Sequence, residues 1–154
     1  MIDRFSHHRL AAAFDPRPRI GARAFRRHML RSLLAVAVLL CLAVWLAGQG
    51  WRGPAIAAAA GLLPLALTVL ARTAGRLRDR DRSPWWLAAY GAVALAGFAP
   101  IEDLTEAYPL ETLATALAMV GFELWFLVET WLRPGTPGPN RYGRQPDEDG
   151  PPSV

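Results

Sequence analysis

The sequence predicts an all-α membrane protein with four transmembrane helices and both termini in the cytoplasm. Three observations predict it. Four stretches are apolar over the ~17–25 residues a helix needs to cross a bilayer. Charge is confined to the segments between them: residues 32–71 carry one charge, Arg52, and residues 84–132 carry six acids and no base. Arginine then alternates from one side of the stretches to the other. A soluble domain spreads its charges over all its surface elements. A disordered chain is not 53% hydrophobic.

Taken in order, the spans are residues 32–48, 54–71, 84–101 and about 110–132. They are rich in Ala and Leu and lack a period-2 alternation, so they read as helices and not as barrel strands. Helices also satisfy their own backbone hydrogen bonds in lipid. Ahead of the first span stand 31 residues, too many for a signal peptide's basic region, and no A-x-A site closes the run. Arg26-Arg27 resembles a twin-arginine signal, but the remaining chain is not a soluble passenger. Gly53-Pro54 is expected to open the second helix and Ser83-Pro84, as N-cap and first residue, the third. Pro64, with Gly61 one turn earlier, is expected to kink the second. Pro134-Gly135 ends the fourth. Ala88, Ala92 and Ala96 on the third helix are expected to pack against Ala57 and Gly61 on the second, since small residues let helices approach in lipid.

The orientation follows from the arginines, because all 17 basic residues are Arg. Residues 1–31 carry eight, 49–53 one, 72–83 five, 102–109 none, and the tail from 133 three. High, low, high, zero and intermediate counts fit an even number of spans with residues 1–31 and 133–154 in the cytoplasm. Trp45, Trp51 and Tyr108 then fall near the outer interface, and Trp85, Trp86 and Trp131 near the inner one. Residues 2–14 place Phe5, Leu10 and Phe14 among Arg4, His7, His8 and Arg9, a segment suited to lying along the inner surface near anionic headgroups. Membrane lipids are therefore the expected partners. Nucleic acid is not, because topology already accounts for the basicity. Residues beyond about 145 are expected to be disordered.

Chemistry is sparse. Cys41 is the lone cysteine, which excludes an intrachain disulfide and a cysteine-based metal site. No phosphate-cradling glycine loop, H-E-x-x-H or G-x-S-x-G occurs, and His7-His8 has no partner at metal-ligand spacing. No catalytic site, metal or cofactor is expected. Two carboxylates stand out. Glu123 lies halfway along the fourth span, where a charge costs about 2.5–3.5 kcal/mol, so it should face the bundle, pair, or be neutral. Thr68 and Tyr90 are its candidate hydrogen-bond partners. Glu129 lies nearer the inner surface and can reach Arg133 at i+4 or the 72–76 segment in a structural ion pair.

Three blocks of sequence resemble the domain-of-unknown-function 805 family of small bacterial inner-membrane proteins. Pro134-Gly135-Thr136-Pro137-Gly138-Pro139-Asn140-Arg141-Tyr142-Gly143 follows that family's P-G-T-x-G-x-N-x-Y-G ending throughout. Arg76-Leu77-Arg78-Asp79-Arg80-Asp81-Arg82-Ser83-Pro84-Trp85-Trp86 resembles its R-L-H-D-x-G-R-S-G-W-W. It departs at Arg78 for His, Asp81 for Gly and Pro84 for Gly. Ile20-Gly21-Ala22-Arg23-Ala24-Phe25-Arg26-Arg27 is a looser version of G-R-x-S-R-x-x-F-W. The resemblance implies an inner-membrane protein with cytoplasmic basic blocks and no assigned enzymatic activity.

All three blocks fall on one membrane face in this topology. The simpler reading of them is solvated charge that sets the topology; the sharper one is an ordered cap in which Asp79 pairs with an Arg of the first block and Asn140 and Tyr142 dock beside Trp85 or Trp86. Arg76 and Arg82 belong to the same basic stretch as Asp79. The expected role is structural, interacting or regulatory, with a homo-oligomer or another membrane protein as partner. The alternative is a small transporter, or a transport accessory, that uses Glu123. Lipid-headgroup chemistry at Asp79 is the remote third.

Overall fold

The computed structural model of the chain describes residues 19–99 and 102–146. The segment 2–14 with His7 and His8, and the disorder expected in the last residues, lie outside those described. Within them the protein is all-α. Helix α1 spans Ala22–Gly48, α2 Arg52–Ala60, α3 Leu62–Asp79, α4 Trp86–Ala96, α5 Glu102–Ala107 and α6 Pro109–Leu127. A π-helical turn, Val128–Leu132, prolongs α6.

Three apolar helical runs are long enough to cross a bilayer: Ala22–Gly48, the nearly continuous Arg52–Asp79, and Pro109–Leu132. At 1.5 Å per residue they reach about 36–42 Å, against a ~30 Å hydrocarbon core. The third expected span is shorter than the sequence predicts. Instead of residues 84–101, α4 has 11 residues, or about 16 Å of helix. Gly97 halts it and Pro100 disfavours the helical region for Ala99. Ser83 and Pro84 do not serve as N-cap and first residue: the helix begins at Trp86 with Trp85 as N-cap, and the Ser83 hydroxyl accepts from Trp85 N–H at 3.3 Å in the turn ahead of it. Two expected loops are also partly helical. The 72–83 segment stays helical to Asp79, and 102–109 holds α5. Arginine is a good helix former, so α3 continues past the apolar run as long as its side chains find partners.

The chain turns between α1 and α2 through a Schellman ending. Gly50 takes the left-handed φ of 79°, its N–H donates to Ala47 O at 3.0 Å and Trp51 N–H donates to Leu46 O at 3.0 Å. Trp51 closes edge-on against Trp45, ring centroids 6.4 Å apart. The α2–α3 run then returns along α1. The expected kink is a break at Gly61, whose Cα side faces Leu39 of α1 at 3.4 Å from a built Cβ. Gly61 therefore packs on α1. The expected pairing of α2 with Ala88, Ala92 and Ala96 does not occur, since α2 and α4 do not meet. Instead α4 lies along α6, with Trp86 against Phe122 and Trp125 and Tyr90 stacked on Phe126 at 4.5 Å. Aromatic area outweighs small-residue contact there.

Helix α3 also ends in a Schellman motif. Arg82 N–H donates to Leu77 O at 2.8 Å and Asp81 N–H to Arg78 O at 3.0 Å. Asp81 takes φ 56°, the left-handed region, at the position where the resembling pattern has Gly. Both Asp81→Gly and Asp81→Ala give up the exposed ion pair to Arg141, so their difference isolates the backbone. The glycine variant is expected to be the more stable by about 1 kcal/mol in detergent melting.

Polarity is distributed inside out. Large apolar side chains along the helices are exposed on the isolated chain, among them Leu34, Val44, Leu63, Leu67, Leu95, Leu117 and Leu124. Arg76, Asp79 and Glu129 are buried, at 0%, 2% and 0% exposure. The small buried apolar cluster of Ile20, Phe25 and Met29, with Val69 and Trp131 against it, sits at this same charged end. The start of α1, the end of α3 and the π turn converge there.

Candidate functional site

The charged end is a built assembly. Asp79, on the last turn of α3, accepts from two arginines. Arg19 donates to its Oδ1 through Nη2 at 3.0 Å and Nε at 3.2 Å, and Arg76, one turn back, donates to Oδ2. The partner is therefore not an Arg of the first block, as expected, but Arg19, one residue ahead of it. Arg19 was not distinguishable from its neighbours in sequence, yet it spreads its guanidinium most widely. Its other bonds run to Thr136 O at 2.8 Å, Gly138 O at 2.9 Å and Gly143 O at 3.0 Å. One side chain thus fastens the tail to α3. The rigid fork of donors makes arginine suited to this.

Arg76 performs a second task. Its Nε donates to Thr130 O at 2.9 Å and its Nη2 to Arg133 O. The last carbonyls of any helix lack internal partners, and a cation there also meets the negative end of the helix dipole. Arg76 therefore closes the C-terminal end of the α6–π-turn run while it holds Asp79.

Glu129, in the π turn, collects three arginines. Oε1 accepts from Arg80 at 3.2 Å and Arg82 at 3.3 Å, and Oε2 from Arg133 at 3.2 Å. The i+4 partner is as expected. The others come from residues 80 and 82 and not from 72–76, because α3 extends past that segment and presents its following turn instead. Arg82 keeps a side chain 44% exposed.

The tail is ordered through Gln145 and Pro146, and each fixed position of the P-G-T-x-G-x-N-x-Y-G pattern has work in it. Pro134 O accepts from Arg80 at 2.6 Å. Thr136 donates to Asp79 O through its N–H at 2.8 Å and its hydroxyl at 2.9 Å. Gly138 and Gly143 take φ values of 71° and 119°. Asn140 donates from Nδ2 to Arg78 O and to Thr136 Oγ1, both 2.9 Å, and its Oδ1 accepts from Tyr142 N–H. Arg78 and Arg141 stand over the Tyr142 ring at 5.7 and 4.8 Å. Asn140 and Tyr142 therefore dock on the end of α3. They do not dock beside Trp86, which packs against Phe122 and Trp125 of α6, or beside Trp85, which is exposed.

Gly135 is the closest approach. A Cβ there would overlap the Asp79 carboxylate, 2.7 Å from its Cγ. Gly135→Ala is expected to force the tail off Asp79, with a loss of about 2 kcal/mol or more and faster protease cleavage after Arg141. Native cleavage kinetics in that variant would show the contact to be dispensable.

Glu123 is set apart. It is exposed on the isolated chain and has no hydrogen bond or ion pair among the described residues. Neither expected partner holds it: Thr68 donates to Leu65 O at 2.7 Å, and Tyr90 stacks on Phe126. Glu123 and Val120 border two mainly apolar cavities of about 420 and 560 Å³. Among the described residues no cluster of His, Cys, Asp or Glu could hold a metal ion.

Compared with curated proteins and with solved structures, the chain has no match. A family model does match, described as a protein of unknown function (DUF805), over residues 13–144. That span takes in the α1 entry, the Arg76–Arg82 block and the tail through Arg144. The chain is a member of the DUF805 family.

Proposed function

We propose that this DUF805 protein is a bacterial inner-membrane protein that crosses the bilayer four times, holds both ends in the cytoplasm, and serves a structural, interacting or regulatory role without catalysis. The observation that carries this reading is the saturation of its buried carboxylates. Asp79 and Glu129 share five arginines, so neither is free to act as a base or nucleophile. Headgroup chemistry at Asp79 finds no support for the same reason. Convergence of the start of α1 and the ends of α3 and the π turn at one end supports an even number of crossings. The short α4 is then the third crossing. Five arginines to two carboxylates leave the cap positive, which suits cytoplasmic placement, anionic headgroups and an acidic surface on a second copy or another membrane protein.

One observation favours a second reading. Glu123 is unpaired at mid-span beside two cavities, as a proton or ion carrier would be. Proteoliposomes separate the two. Proton uptake is expected to be equal for the native protein and Glu123→Gln. Uptake that depends on Glu123 would replace the structural reading with the transport one.

A further inference from the structure

The described acids do not answer all the arginines. Asp79, Asp81 and Glu129 hold Arg19, Arg76, Arg80, Arg82, Arg133 and Arg141. Arg27, His28, Arg31 and Arg72 instead line a separate pocket of about 230 Å³ between α1 and α3, with Ile20 and Ala24 as its apolar wall. No acid borders it. Among the described residues no ion pair reaches Arg27, Arg31 or Arg72, and the Nε–H of Arg72 is buried without an acceptor. His28 makes one polar contact, to Ser32 Oγ at 3.4 Å. A shielded donor left unmatched among like charges calls for an anion.

The geometry points to a phosphate-binding site here, filled by an anionic phospholipid headgroup or by free phosphate. The pocket lies where the apolar stretch of α1 begins after Ser32 and that of α3 stops at Ala71. In the proposed topology, on which this inference rests, that level is the inner headgroup layer. Guanidinium groups match phosphate oxygens two at a time, which a carboxylate-free pocket leaves them able to do. One and two turns above Arg31, on its own face of α1, stand Leu34 and Val38, 67% and 56% exposed. An acyl chain below such a headgroup would lie against them.

The test compares the native protein, the Arg31→Gln/Arg72→Gln double variant and Arg52→Gln, which removes one charge at the far end of α1. Each is held in micelles doped with phosphatidylglycerol or phosphatidylcholine, and retained lipid is read by native mass spectrometry. Native protein is expected to retain phosphatidylglycerol preferentially. The double variant is expected to bind it about 25-fold more weakly, at about fivefold per arginine, with Arg52→Gln unchanged. Equal retention by the native and double-variant proteins overturns the site, as does equal loss with Arg52→Gln. A second arm adds inorganic phosphate in phosphatidylcholine micelles. Thermal protection of the native protein and not of the double variant identifies free phosphate as the occupant. Phosphatidylglycerol retention without that protection identifies the lipid. Should Arg72→Gln prevent folding, shown by loss of tail protection from protease, the exposed Arg31→Gln alone is read for its fivefold loss. Glu123-dependent uptake would refute the functional reading and leave this binding result untouched.

Discussion

Asp79→Ala is expected to release the tail and cost about 3–5 kcal/mol of cap stability. Its carboxylate is the shared acceptor of Arg19 and Arg76, whose side chains are 1% and 0% exposed. Removing one partner of a buried pair costs more than the pair contributes, because the remaining charges stay out of water. Here two guanidinium groups would be left. Arg19 would then lose its fixed orientation, and with it the bonds to Thr136, Gly138 and Gly143. The expected readings are a lower detergent melting temperature and rapid proteolysis at Arg141 and Arg144. Asp79→Asn keeps the shape and one acceptor oxygen, and is expected to fall between Ala and native. Native behaviour of Asp79→Asn would show that charge is not what holds the cap.

Glu129→Gln is the second large effect, smaller than the first. The Glu129 carboxylate is itself 1% exposed, but only Arg80 among its partners is well shielded, at 16%, against 44% for Arg82 and 52% for Arg133. The two exposed arginines can turn to water, so the loss is expected at about 2–3 kcal/mol. The end of α6 should loosen, since Arg133 and Arg80 also position the first tail residues. The two carboxylates are joined through Arg76, which bonds Asp79 on one side and Thr130 and Arg133 on the other. The double variant is therefore expected to lose less than the sum of the singles, measured as a melting cycle.

The apolar runs made the helices legible, and the arginine count made their common charged end legible. The break at Gly61 followed from Gly61 and Pro64, whereas the tail reads in sequence first as solvated charge and only second as part of an ordered cap. What stayed hidden depends on contacts distant in sequence. Arg19 is one of eight arginines before residue 32, and only the fold brings Asp79 and the 136–143 carbonyls around it. The α3 helix runs on to Asp79 because α6 and the tail supply acceptors for Arg76 and Arg80, which no local pattern records. The π turn, too, presents Glu129 and the Thr130 carbonyl to arginines of α3 and its end. Ala88, Ala92 and Ala96 suggested a helix pair that Trp86, Tyr90 and Phe126 override.

Cys41 offers the most direct test of the inside-out fold. It is the single cysteine, it lies mid-way along the apolar part of α1, and on the isolated chain its side is exposed. Hydrocarbon suppresses the thiolate that maleimide requires, whereas water permits it. In sealed membrane vesicles a water-soluble maleimide is expected to leave Cys41 unmodified until denaturing detergent is added. Full modification of Cys41 in intact vesicles would contradict the account, because the face of α1 that it occupies would then border water.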